Sequence, residues 1–135
     1  MESTTVTVTQ TSDTVSTATA RQHQVLIDRP ELVGGTDEGA KARELFLMSL
    51  GGCFLNNLKA AIVARDADID NLRLDITGTA DEPPRRFVAI EMVVYAKYSD
   101  ANLMKKIVTI AERGCLLSNT LKHALDLTVT IAPSQ

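Results

Sequence analysis

Ala40-Lys-Ala-Arg-Glu44-Leu-Phe-Leu-Met-Ser-Leu-Gly-Gly-Cys53-Phe-Leu-Asn-Asn-Leu58-Lys-Ala-Ala-Ile62-Val-Ala-Arg-Asp-Ala67 is the stretch on which the fold turns. Its apolar residues Leu45, Phe46, Leu47, Met48, Leu50, Phe54, Leu55, Leu58, Ala61 and Ile62 surround the first half and then narrow to a stripe at helical spacing. One helix is expected from about Ala40 to Ala67, and a helix apolar on all sides is a buried one. Gly51 and Gly52 inside it each cost on the order of 1 kcal/mol relative to Ala. Close approach of another backbone beside Cys53 would offset that cost.

Upstream, Thr4–Gln10 and Val15–Asp28 are rich in Thr and Val with stretches of alternation, which predicts a two-stranded hairpin turning at Ser12-Asp13. Arg21 falls in the second of these strands. Arg29–Gly39, with Pro30 and three glycines, reads as a loop long enough to be functional. Downstream, Leu72–Thr77 and Phe87–Tyr98 read as an antiparallel pair separated by a long connection that Asp81-Glu-Pro-Pro interrupts. Asp100 is placed to cap a helix with apolar positions Leu103, Ile107, Val108, Ile110 and Ala111, ending at Gly114 as a left-handed stop. Ser118 is placed to cap a short helix, Asn119–Ala124, before a last strand, Asp126–Ile131. Strands, a long helix, strands, a helix pair and a final strand make an α+β fold with antiparallel sheet, expected as a single domain over residues 1–135 around a buried central helix.

Composition narrows function by exclusion. With 44% hydrophobic and 23% charged residues the chain has an ordinary globular make-up. A net charge of −3 argues against a nucleic-acid surface, which needs clustered Lys and Arg. The N-terminal Met1-Glu-Ser-Thr-Thr-Val lacks the basic and apolar regions of a secretory signal, and no apolar segment is expected to reach the length needed to span a bilayer. A cytoplasmic protein without membrane contact is the expectation. In that reducing setting Cys53 and Cys115 are either buried thiols or reactive ones. Cys53 on an apolar helix, taken alone, reads first as a small core residue filling a tight gap, and Cys115 has a packed loop thiol as its alternative. Cys115 follows Arg113 and lies near a helix N-terminus, a setting that favours a thiolate.

The run Gly34-Gly-Thr-Asp-Glu-Gly39 followed by Glu44-Leu-Phe-Leu-Met-Ser-Leu-Gly-Gly-Cys53 resembles the OsmC/Ohr family (osmotically inducible and organic hydroperoxide resistance proteins): a glycine loop, a glutamate-led apolar helix and a cysteine within it. Arg113-Gly-Cys115-Leu-Leu-Ser118-Asn-Thr-Leu121 resembles that family's second cysteine motif, usually Cys-Pro-Val-Ser followed by Thr-Leu, and Pro83-Pro-Arg-Arg-Phe precedes a strand as the family's pattern has it. The resemblance implies a peroxidatic thiolate at Cys53, a resolving thiol at Cys115, an organic hydroperoxide substrate and a dithiol reductant such as a lipoylated protein. It implies neither metal nor organic cofactor, and an intertwined homodimer with its sites at the interface. This chain has Ala40-Lys41-Ala42 where the family usually has Pro-Ser-Pro, and Leu116 where it usually has Pro.

Family peroxidases also use an arginine held by a glutamate. Glu44 is the candidate carboxylate, and Arg21, Arg85 and Arg86 are the available arginines, with Arg21 the catalytic candidate and a surface charge the alternative for each. On a continuous helix nine residues place Glu44 about 180° around and roughly 13 Å along from Cys53, so it can serve a site only through an intermediary or across an interface. A first-turn glutamate complementing the helix dipole is the alternative. Met48, Phe54 and Leu55 are expected to favour an alkyl peroxide over hydrogen peroxide, each buried methylene contributing about 0.8 kcal/mol. His23 and His123 lack zinc-finger spacing, and the glycine loop lacks the Gly-Lys-Ser/Thr ending of a phosphate cradle. The competing function is a non-peroxidase of the same fold that holds an apolar ligand or handles another sulfur compound at the dimer interface.

Overall fold

Thr, Val and Ala dominate the N-terminal stretch, and β-branched side chains favour extended backbone. In the computed structural model, which describes residues 1–135 as two units, 1–46 and 47–135, it forms three antiparallel strands. These are β1 (Thr7–Gln10), β2 (Ser16–Ala20) and β3 (His23–Ile27), in that spatial order. Ser12 shapes the first turn, its hydroxyl accepting the amides of Thr14 at 3.3 Å and Val15 at 3.0 Å. The expected strand Val15–Asp28 is two strands, not one. It breaks at Arg21-Gln22, where Arg21 adopts the left-handed conformation (φ 56°) without the Gly, Asn or Asp that ordinarily signals such a turn.

Beyond β3 the loop is organised by one carboxylate. Asp28 is 3% exposed and accepts the amides of Arg29 (2.7 Å), Thr36 (3.1 Å) and Glu38 (3.0 Å) and the Thr36 hydroxyl (2.7 Å). The amides of Gly35 and Asp37 return to the carbonyls of Pro30 (3.1 Å) and Arg29 (2.9 Å). Gly34, at φ 90°, closes a single 3-10 turn, Glu31–Val33. A side chain at Gly35 would meet the Arg29 carbonyl. The Glu38 amide above all, with Thr36 and Arg29, holds the Asp28 carboxyl well below the usual carboxylate range against the opposing effect of burial.

Helix α1 (Ala42–Ala64) leads into the second unit. There its buried residues Leu50, Phe54, Leu58 and Ala61 join Ile90, Met92, Val94 and Ala96 of β5 and Met104, Ile107 and Ala111 of α2 in one core. Strands β4 (Ile69–Asp81) and β5 (Arg86–Tyr98) form an antiparallel hairpin, not a pair with a long connection. Only residues 82–85 join them, because Pro83-Pro84 punctuates a tight turn. On β5 Ile90, Met92, Val94 and Ala96 are buried, the period-two mark of a strand with one face on a core. Asp100 caps α2 (Ala101–Gly114), Oδ1 accepting the Leu103 amide at 2.9 Å.

Helix α3 (Leu116–Leu121) follows, and β6 (Asp126–Ile131) then pairs with β5 in parallel, from Ala89 opposite Asp126 to Val94 opposite Ile131. The sheet β4-β5-β6 is therefore mixed, where an antiparallel one was expected. A parallel partner requires a crossover, and α2 with α3 provides it. The glycines of α1 also differ from expectation. Gly51 makes room for the Ile76 side chain, not for a backbone, and Gly52 faces open space. The expectation that no segment is long and apolar enough to cross a membrane is corrected as well. By length and composition α1 is such a helix, because Ser, Gly and Asn interrupt its apolar run without adding charge. Within the second unit its stripe of Leu50, Phe54 and Leu58 is fully buried in the core.

The Asp28 geometry predicts that Asp28→Ala abolishes the slow hydrogen exchange of the Thr36 and Glu38 amides. Because the folded carboxyl titrates below its unfolded value, its contribution is complete above the ordinary carboxylate range and is lost as pH falls through the lower folded value. Exchange measured against pH should show wild-type protection surviving acidification through the ordinary range near pH 4. Protection lost in that range would contradict the assignment.

Candidate active site

The chain between α2 and α3 makes its change of direction on a cysteine. Gly114 remains helical and does not act as a left-handed stop. Cys115 takes the extended conformation (φ −80°, ψ 113°) and is the N-cap of α3, its sulfur accepting the Ser118 amide at 3.5 Å and its carbonyl the Asn119 amide at 2.9 Å. Ser118, expected as the cap, is instead the third helical residue. A short side chain carrying an acceptor suits an N-cap, and the sulfur fills that role here. The helix accordingly begins and ends earlier than Asn119–Ala124.

This junction lies against α1. Cys53 is partly buried, Cys115 is wholly buried, and the two sulfurs are 3.2 Å apart, with the Cys115 S–H donating to Cys53. Neither is in a disulfide. The first amides of a helix have no partner within it. Those of Leu116 and Leu117 donate to Cys53. Burial works to raise the Cys53 thiol, but the Leu117 amide, the Cys115 S–H and the Leu116 amide together outweigh it and hold Cys53 below the ordinary thiol range. Cys115 moves the other way. Burial raises it, Ser118 pulls against that through hydroxyl and amide, and the neighbouring Cys53 adds to the rise. The helix-terminal setting of Cys115 pointed to a thiolate there, whereas the family resemblance implied one at Cys53; the α3 amides favour Cys53.

The structure thus brings Cys53 and Cys115 together. Glu44 caps its own helix, Oε1 accepting the Lys41 amide at 2.8 Å, which is half of a capping box. Its place on the continuous α1 keeps the helical separation from Cys53 that the sequence implied. Arg21 is at the exposed β2–β3 turn, Arg85 in the β4–β5 turn and Arg86 at the first position of β5. No cation contributes to the lowering of Cys53. Of the apolar residues expected to receive an alkyl tail, Phe54 is fully buried in the core, while Met48 is exposed and Leu55 partly buried. The functional groups not anticipated are the Leu116 and Leu117 amides. Reading Cys115 as the N-cap would have found them.

A thiolate beside a protonated thiol is a two-electron donor pair. The S–S bond of a disulfide is about 2.04 Å, so joining the sulfurs requires an approach of about 1.2 Å from the 3.2 Å contact. Alkylation followed against pH and located by peptide mass is expected to modify Cys53 half-maximally below the ordinary thiol midpoint near 8.5, with Cys115 protected. Equal rates at both cysteines would contradict the asymmetry.

The model of the family described as OsmC-like protein matches residues 35–130. No curated protein matches the sequence. Among solved structures, an OsmC-like protein from Mycoplasma pneumoniae superposes with TM-score 0.88 at 20% identity, covering 99% of each chain. An organic hydroperoxide resistance protein from Elizabethkingia anophelis gives 0.78 at 14% identity over 98% of this chain and 96% of its own. The organic hydroperoxide resistance protein OhrB of Bacillus subtilis gives 0.71 at 18% identity over 97% and 98%. At these identities the structural likeness establishes the shared α+β fold, and the family match, spanning well over half of the chain, places this protein in the OsmC-like family.

Proposed function

We propose that the chain is a thiol-dependent peroxidase for organic hydroperoxides. The observation carrying this reading is the 3.2 Å pair of unequal thiols, with Cys53 lowered by helix amides and Cys115 raised beside it. The Cys53 thiolate attacks the terminal peroxide oxygen, the O–O bond breaks, and the alkoxide takes a proton to leave as an alcohol, giving a sulfenic acid on Cys53. Cys115 then attacks that sulfur: the S–S bond forms, the S–O bond breaks, and hydroxide leaves with the Cys115 proton as water. A dithiol, such as a lipoylated protein, reduces the disulfide by exchange.

The working unit in this proposal is a homodimer in the cytoplasm. Met48 and Val63 on α1 are 58% and 79% exposed, and Gly52 between them has open space beside it, a surface suited to a second helix. Arg21 and Glu44 belong to the proposal as tuning residues only in that assembly, where one copy can present groups to the thiol of the other. Val63→Asp is expected to shift the protein from dimer to monomer in sedimentation. An unchanged dimer would remove α1 from the interface.

Consumption of cumene hydroperoxide in excess dithiol tests the activity. Wild type should turn over and Cys53→Ser should lose activity by at least 10³-fold, on the order of what loss of a nucleophile costs. Cys115→Ser should still form the sulfenic acid, trapped by dimedone, but not the internal disulfide. Lack of turnover by wild type would favour the second reading, a protein handling another sulfur compound or an apolar ligand, for which Ala40-Lys41-Ala42 and Leu116 in place of the family's usual residues speak.

A further inference from the structure

Ser118 is 1% exposed, and its hydroxyl, near enough to Cys115 to favour its ionised form, makes no hydrogen bond to the thiol or to any other group. A buried hydroxyl left unpaired destabilises a fold, whereas a methyl in its place does not. The residue nevertheless adjoins the sulfur that must attack. Ser118 is three residues beyond Cys115 in the first turn of α3, and its amide already donates to Cys115 Sγ at 3.5 Å. A protonated thiol is a weak acceptor and a thiolate a strong one, so a hydroxyl unpaired beside the thiol gains a partner when that thiol ionises. Cys115 is wholly buried, so bulk solvent does not reach its sulfur, while its neighbour Cys53 is partly exposed.

We propose that Ser118 is a positioning residue for the second chemical step: its hydroxyl turns to the Cys115 sulfur as that sulfur loses its proton and holds the thiolate in line with the modified Cys53. The Ser118 hydroxyl and amide both favour the ionised form of Cys115 against burial, consistent with this geometry. The proposal rests on the two-thiol reading of the site, but not on a hydroperoxide being the substrate.

An excess of an aromatic disulfide with a coloured thiolate leaving group separates the steps. Cys53 attacks the reagent disulfide, releasing one coloured thiolate at a rate that grows with reagent concentration. Cys115 then attacks the Cys53 sulfur of the mixed disulfide, its proton passing to solvent, and releases a second coloured thiolate at a concentration-independent rate. In Ser118→Ala the first release should match wild type. The second should have its pH midpoint raised by about one unit and be about tenfold slower below that midpoint. Ser118→Thr, which keeps the hydroxyl, should restore the wild-type midpoint, and Ser118→Ala should melt at or above the wild-type temperature.

An unchanged second-phase midpoint in Ser118→Ala overturns the proposal. So does a melting temperature well below wild type, which would make the hydroxyl structural. Because the reagent is not a peroxide, failure of the peroxidase reading leaves this result intact. Two ordered releases with a Ser118-dependent second step support the inference even if cumene hydroperoxide is not consumed.

Discussion

Two amide groups at the start of a six-residue helix carry the asymmetry of the site. Any helix leaves its first N–H groups without internal partners, and those of α3 are aimed at a sulfur on another helix. Without them, Cys53 would be a half-buried thiol whose ionisation burial opposes. With them it is the more acidic member of the pair, while burial and the neighbouring Cys53 raise Cys115. The difference arises from the α3 amides and the Cys115 S–H at Cys53 and from the deeper burial of Cys115.

That geometry depends on the parallel pairing of β6 with β5. A chain leaving the end of β5 must cross back to run β6 in the same direction, and α2 and α3 are the crossover. The bend between them brings Cys115 against α1. The same connection buries Met104, Ile107 and Ala111 with Leu50, Phe54 and Leu58, so the core that stabilises the unit also sets the distance between the sulfurs. A fully buried Leu or Phe contributes about 1.5–3 kcal/mol. Several of them therefore fix the helices far more firmly than the sulfur contact could.

Much of the second unit was legible in the sequence. The long apolar helix, the strands around Leu72 and Phe87, the Asp100 cap and the last strand all appear where the pattern put them, because each rests on local periodicity or capping chemistry. The first unit was less legible. Its second turn uses Arg21 in a left-handed conformation, which no turn-forming residue announces. The role of Asp28 was also hidden, since a carboxylate collecting amides eight and ten residues onward leaves no periodic trace.

At the site, the sequence by itself determined which atoms are available: two thiols, each in a recognisable motif, and a glutamate at a helix start. The tertiary structure decided which groups favour ionisation at each thiol. Cys115 is next to a helix N-terminus in sequence, yet the first amides of that helix reach across to Cys53, and burial opposes ionisation of Cys115. Ionisation depends on solvent exclusion and on donors that converge in space. Those are set by how helices pack, and linear spacing does not encode them.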